Sequence, residues 1–286
     1  MQKEITKKIK KIQEVTKIKV NSYKVVNRGA DSLIIEVNDR WIFRFPRKHA
    51  FRKKMKERLN FLIYFAKVSP IKIPAPEYME DDFIGYKKIS GKHLYRSSIE
   101  RLHRKDKLKI AKQIGLFLKA LHSFKSKYVK YETGYLTMYR KDLDYSNWSF
   151  KKYLSKNELK NLHGKLDAIL ANDNNFIKPT TIIHGDLHFN NILWNPKKKT
   201  ITGVIDWGEV GLGVPAMDFI GILDFNKKSN DKFLKDILTY YGAKNDDLFQ
   251  QIKENAIIDT MNWFWWYEKN NQPEGMTRII KKIKKY

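Results

Sequence analysis

The chain has 286 residues, enough for about two domains of roughly 150 residues, each with its own core. It contains no cysteine, which excludes disulfides, thiolate metal sites and cysteine nucleophiles and points to a reducing cytoplasm. The formal net charge of +26 would attract polyanions, but residues 1–90 hold only 22 basic against 10 acidic residues and no RNA-binding signature accompanies them, so the excess reads as a dispersed, solvated lysine surface.

Ile5, Ile9 and Ile12 recur at helical spacing among lysines and predict an amphipathic helix at the N-terminus. That segment has no signal-peptide core, and no segment approaches the roughly 20 apolar residues of a membrane span. A soluble, unexported monomer is expected. Runs 23–27, 33–37 and 41–45 read as consecutive strands, with Arg28-Gly29-Ala30-Asp31-Ser32 as the turn between the first two. A helical stretch over 52–66 contains Glu57. Residues 108–122 form a second helix whose Ile110, Ile114, Leu118 and Leu121 are core positions, and His122 near its end reads as a packing histidine rather than a catalyst.

The chemistry concentrates in His184-Gly185-Asp186-Leu187-His188-Phe189-Asn190-Asn191 and in Ile205-Asp206-Trp207. Four residues separate Asp186 from Asn191, so one loop can aim a carboxylate at a hydroxyl and an amide oxygen at a metal ion, as phosphoryl transfer requires. The β-rich runs 191–195 and 200–205, joined by Pro196-Lys197-Lys198-Lys199, predict a hairpin that returns Asp206 to the side of Asn191. One carboxylate and one amide, completed by nucleotide phosphates and water, suit Mg2+. Farther on, residues 218–268 carry nine acidic and six basic side chains, against the trend of the whole chain, and end in an aromatic run at 263–267.

Residues 181–219 closely resemble the core of the aminoglycoside phosphotransferase family, small-molecule kinases with a protein-kinase-like two-lobed fold. The resemblance implies an α+β protein, with a β-rich nucleotide-binding N-lobe over 1–90 and a mainly helical catalytic and substrate-binding C-lobe over 91–286. It implies Asp186 as catalytic aspartate and Asn191 and Asp206 as magnesium ligands. His184 would buttress the catalytic loop and Asp218 brace its backbone, while Val214 stands where relatives often carry aspartate. The turn ending at Ser32 would cover the nucleotide, although a plain hairpin turn explains it equally. Arg44, in Trp41-Ile42-Phe43-Arg44-Phe45-Pro46-Arg47, stands where the family has a phosphate-binding lysine and resembles the pattern of some macrolide kinases. Glu57 would hold Arg44, its alternative being an exposed helix glutamate.

Phe83-Ile84-Gly85-Tyr86-Lys87-Lys88-Ile89 resembles the last N-lobe strand entering the interlobe hinge. Tyr86 falls at the gatekeeper position, which favours GTP over ATP, and backbone groups of Lys87 to Ile89 would face the purine. By analogy with the acidic substrate cleft of the aminoglycoside kinases, Asp224, Asp259 and Glu268 would contact substrate amines. The expected activity is Mg2+-dependent transfer of the γ-phosphoryl group of GTP or ATP to an aminoglycoside hydroxyl, with drug resistance as its outcome. A macrolide kinase, a metabolic kinase for choline, homoserine or a sugar, and a catalytically weak nucleic-acid-binding protein stay open as alternatives.

Overall fold

Isoleucines at helical spacing turn the lysine-rich N-terminus into α1 (Gln2–Thr16), which buries Ile5 and Ile12 and leaves most of its lysines exposed. The computed structural model describes residues 2–26, 32–47, 58–130, 149–171, 180–223, 228–244 and 246–284. The predicted turn at 28–31, Glu57 and Asp224 lie outside the described residues.

The three predicted strands form an antiparallel meander, β1 (Tyr23–Val26), β2 (Ser32–Val37) and β3 (Trp41–Pro46). In the three-residue connection of the second hairpin, Asn38 and Asp39 take left-handed φ of 52° and 53° and the Arg40 N–H donates to the Val37 carbonyl at 3.0 Å. A helical stretch α2 over 58–65 leads to β4 (Pro76–Met79) and β5 (Ile84–Lys87). The sheet order is β1-β2-β3-β5-β4, so the chain's last strand here is an interior one and β4 takes the edge. Pro76 explains why β4 gave no sequence signal, since proline is tolerated only at strand starts and edges.

The period of two decides what each face of this sheet does. Ile35, Val37, Trp41, Phe43 and Phe45 pack with Phe83 against Ile5 and Ile12 of α1. The alternate residues Ile34, Ile42 and Arg44 turn to the other face, where they line a cleft with Tyr86.

The rest is mainly helical. After the two-residue strand β6 (Lys92–His93) come α3 (Arg96–Glu100) and α4 (Arg104–Ser123), where Ile110, Ile114, Leu118 and Leu121 are buried as predicted. α5 (Lys156–Ala171) precedes β7 (Thr181–Ile183), the hairpin β8 (Ile192–Asn195) and β9 (Thr200–Val204), and β10 (Gly211–Gly213). α6 (Met217–Ile220), α7 (Lys228–Tyr241), α8 (Asp247–Lys269) and α9 (Pro273–Ile283) complete the chain. α4 lies directly on α7: a Cβ at Gly115 would meet the α7 backbone, so glycine permits the approach. A second apolar cluster joins Leu162 and Leu166 of α5 to Met261 and Phe264 of α8 and Ile279 and Ile283 of α9. Each such side chain contributes about 1.5–3 kcal/mol on full burial. Among the described residues, no helix is long and apolar enough to cross a membrane.

Candidate active site

The predicted hairpin forms. Ile192 pairs with Val204, and the Ile205 N–H donates to the Asn191 carbonyl at 2.9 Å, which sets Asp206 beside Asn191. Its turn is built by Asn195, whose Oδ1 accepts from the N–H groups of Lys197 and Lys198 at 3.0 Å each. Asp206 takes the left-handed conformation (φ 65°, ψ 61°), which costs about 1 kcal/mol or more in a residue other than glycine and turns the chain sharply out of β9.

The loop bearing Asp186 is held from three sides. Asp218 is fully buried; its Oδ2 accepts from the His184 N–H at 2.8 Å and its Oδ1 from the Gly185 N–H at 2.9 Å. His122 Nε2 lies 3.0 Å from Asp218 Oδ2, and His122 Nδ1 lies 3.1 Å from the Tyr241 hydroxyl. Burial alone would raise the Asp218 carboxyl, but the hydrogen bond and charge of His122 and the donors of the loop win and hold it below the usual carboxylate range. His122 is therefore a satisfied buried histidine whose partner is the bracing carboxylate.

His184 joins the two halves of the site. Its ring is completely buried, its Nε2–H donates to the Ile205 carbonyl at 3.1 Å, and its Nδ1 accepts from the Asp186 N–H at 3.3 Å. Those roles require the neutral ring, and burial pushes its pKa down in agreement. Trp207 lies against it at 4.6 Å between ring centroids and donates its indole N–H to the Val204 carbonyl. Gly185 completes the turn with φ 81°, at a point where any Cβ would strike the Glu209 carbonyl.

Asp186 and Asn191 face one another. Asn191 Nδ2 donates to the Asp186 main-chain oxygen at 2.9 Å and to its carboxylate at 3.2 Å. Its Oδ1 is then the atom available to a cation. Burial pushes the Asp186 carboxyl up, with nearby Asp206 adding to the rise and His188, His184 and the Asn191 hydrogen bond opposing it. His188 Nε2 is 3.9 Å from Asp186 Oδ1. Across from them, Arg44 Nη1 of β3 reaches to 3.8 Å from Asp206 Oδ1. Asn191 and Asp206 offer hard oxygen donors, the donor class Mg2+ takes, and leave room for phosphate and water in its shell.

Three adjoining clefts meet here. The first, of about 460 Å3, is lined by Lys88, Ile89, His93, Arg44 and Asp206 among others. The second, of about 180 Å3, shares Ser32, Arg44, Tyr86 and Asp206 with the first and adds Asp186 and Glu209. The third, of about 150 Å3, holds Asp186 and His188 with Met217, Ile220, Asp259 and Trp263. Asp186 is thus the shared wall between the second and third.

The structure brings Ser32, Arg44, Tyr86, Ile89, Asp186, Asp206 and Asp259 onto these clefts. The Lys88 N–H is taken by the Arg40 carbonyl at 2.8 Å, and Lys87 lies in β5 opposite Trp41 and lines none of the three clefts. The Lys87 side chain points elsewhere, to Glu77 at 3.1 Å. Glu268 lines none of the three clefts: its carboxylate accepts from the Ser149 hydroxyl. Nine residues past Asp259, it stands on the opposite side of α8. Trp263, one turn after Asp259, shares the cleft face instead. His93, His188 and Trp263 are the site residues that sequence reasoning passed over; His188 stood inside the quoted motif, whereas nothing local marked His93.

Residues 22–253 match the family model described as "Phosphotransferase enzyme family". The chain is similar in fold to the GDP and kanamycin complex of APH(2")-IIia, at 19% identity with 95% of each chain covered and a TM-score of 0.80. It is similar to the streptomycin–ATP–APH(2")-IIa ternary complex at 22% identity, 95% of each chain and a TM-score of 0.72. Macrolide 2'-phosphotransferase MphH from Brachybacterium faecium matches at 15% identity, 94% of each chain and a TM-score of 0.69.

Proposed function

Because the chain belongs to the phosphotransferase enzyme family, we propose that it transfers the γ-phosphoryl group of GTP or ATP to a hydroxyl of an aminoglycoside. Residues 1–90 form the nucleotide-binding lobe and 91–286 the catalytic and acceptor-binding lobe. One observation carries the reading: Asp186 stands between a cleft lined by Arg44 and Asp206 and a cleft lined by Asp259 and Trp263. Donor and acceptor can therefore approach the same carboxylate from opposite sides.

Asp186 orients the acceptor hydroxyl and takes its proton as the oxygen bonds to the γ-phosphorus. The bond from that phosphorus to the β–γ bridging oxygen breaks, and the nucleoside diphosphate leaves. A carboxylate raised by burial is a stronger base than one in water, which favours the proton transfer. Asn191 Oδ1 and the Asp206 carboxylate would hold Mg2+, whose chemistry is to neutralise charge on the β- and γ-phosphates. Arg44 swings little to exchange Asp206 for phosphate oxygens, which a guanidinium binds in bidentate fashion. In the acceptor cleft, Asp259 offers a carboxylate and Trp263 an aromatic face, both suited to a protonated amine. Glu57 and Asp224 belong to the proposed nucleotide and substrate sets on the resemblance alone. A macrolide acceptor is the second reading, favoured by Met217, Ile220 and Trp263, which make part of that cleft apolar.

The test is Mg2+-dependent release of GDP or ADP with kanamycin, gentamicin, erythromycin, choline or no acceptor. Stimulation by an aminoglycoside, abolished in Asp186→Ala, is expected. Stimulation only by erythromycin or choline replaces the acceptor class, and no acceptor-dependent release refutes the assignment.

A further inference from the structure

The largest of the three clefts contains a histidine to which nothing so far gives a task. We propose that His93 reads the sugar of the nucleotide: its Nε2 accepts a hydrogen bond from a ribose hydroxyl, so that the cleft prefers ribonucleotides to deoxyribonucleotides. The inference rests on the reading of this cleft as the nucleotide site.

His93 Nδ1 lies 2.7 Å from the Asn190 carbonyl oxygen. A carbonyl only accepts, so Nδ1 carries the proton, and in the neutral ring Nε2 is left with its lone pair. The pairing of His93 with Leu193 in β6 and β8 fixes its backbone at the cleft, which both residues line. The ring also packs beside Tyr95, with centroids 6.4 Å apart. The histidine is thus held in one tautomer at a defined place.

That place fits a sugar. Ile89 and His93 are four residues apart, a span of at most about 14 Å, while β3 runs from Trp41, opposite Lys87, to Arg44, opposite Ile84, so that Arg44 and the neighbouring Asp206 stand farther along the cleft, where phosphate would bind. The other charged side chains on the cleft have partners. Lys88 Nζ lies 2.8 Å from Glu36 Oε1 and 2.5 Å from Asp39 Oδ1, and Arg44 and Asp206 face one another. Ser32 sits at the end shared with the second cleft. His93 is exposed at the rim, as a contact for sugar hydroxyls that remain partly hydrated would be. Its bond to Asn190, the neighbour of Asn191, ties sugar recognition to the segment that carries Asp186.

Calorimetric titration of the full chain with GDP, 2'-deoxy-GDP and 3'-deoxy-GDP, and with the adenine counterparts, tests this without any acceptor. Wild type should bind the ribonucleotide about five-fold more tightly than the analogue lacking the contacted hydroxyl, the worth of one neutral hydrogen bond. In His93→Ala and in His93→Phe, which keeps a ring beside Tyr95, that ratio should fall close to one, with the loss confined to the ribonucleotide. Equal binding of all three sugars by wild type, or a wild-type ratio kept by either variant, overturns the proposal. Failure of wild type to bind any GDP or ADP would overturn the nucleotide cleft as well; binding with an unmoved ratio overturns the sugar contact alone.

Discussion

Asp259→Asn should make the protein more stable and a worse enzyme. Asp259 lies on α8 in the acceptor cleft, and burial pushes its carboxyl up to about 6 from an ordinary 3.8. The charge of Asp186 adds to the rise, while Lys282 and the Trp263 indole N–H oppose it. A folded pKa above the unfolded one means that the folded state holds the proton longer, so the stability due to this group is complete below about pH 4. It is lost as pH rises through about 6. Two pH units at about 1.4 kcal/mol each set an upper limit of ~3 kcal/mol for the loss, and the partial exposure of the side chain reduces it to about 1.5 kcal/mol. Asparagine keeps the shape without the charge. Urea titrations of both proteins should give midpoints that nearly coincide at pH 4 and separate above pH 6, the variant higher and the slope unchanged. At pH 7.5 the same variant should raise KM for an aminoglycoside by roughly 10-fold or more, the loss of a charge-assisted hydrogen bond. Equal midpoints at every pH would show that the carboxylate is not destabilised by burial, and an unchanged KM would remove it from the acceptor site.

Asp186→Asn should cut kcat by about 10²–10⁴ while the Kd for GDP or ADP stays within about three-fold, as measured by single-turnover transfer and calorimetry. Since the base works only when ionised and burial raises its pKa, wild-type activity should fall on acidification at a pH above the ordinary aspartate range. Asp218→Ala leaves two loop N–H groups and the His122 ring without their acceptor and should cost about 3–5 kcal/mol by urea unfolding. Gly185→Ala meets both a positive φ and the Glu209 carbonyl, so about 1–3 kcal/mol of stability should be lost, with a drop in kcat as the Asp186 loop shifts.

What was legible in the sequence was what short stretches of chain determine. The hairpin carrying Asp206 needs two β-rich runs and a turn, all within 191–206, although its register shift between Leu193 and Trp194 left no mark in the sequence. The helix spacing of Ile110, Ile114, Leu118 and Leu121 named four buried residues for the same reason. Features made by residues far apart were not legible. The Asp218–His122 contact spans 96 positions, and no local pattern says that a histidine closing one helix will meet an aspartate opening another. β4 was missed because a four-residue edge strand led by Pro76 has neither length nor alternation to announce it. His93 belongs to a two-residue strand whose only periodicity is its partner, β8.

The acidic stretch at 218–268 illustrates how a composition argument dissolves into individual contacts. Its surplus of carboxylates invited a cationic substrate, yet most of those that the structure describes have other tasks. Asp218 braces a loop, Asp236 pairs with Arg104, Asp246 lies 3.7 Å from Lys235, Glu254 accepts from Gln250 and Glu268 accepts from Ser149. The last four of these contacts satisfy helix surfaces and call for no ligand. Asp259 differs in kind: it stands on a cleft wall with a tryptophan one helical turn away and a second carboxylate, Asp186, across the space. The charge of Asp186 raises the pKa of Asp259, and that repulsion favours a ligand that brings positive charge between the two. The case for an amine-bearing acceptor therefore rests on the pair Asp186 and Asp259, and would be as strong in a chain with no acidic surplus at all.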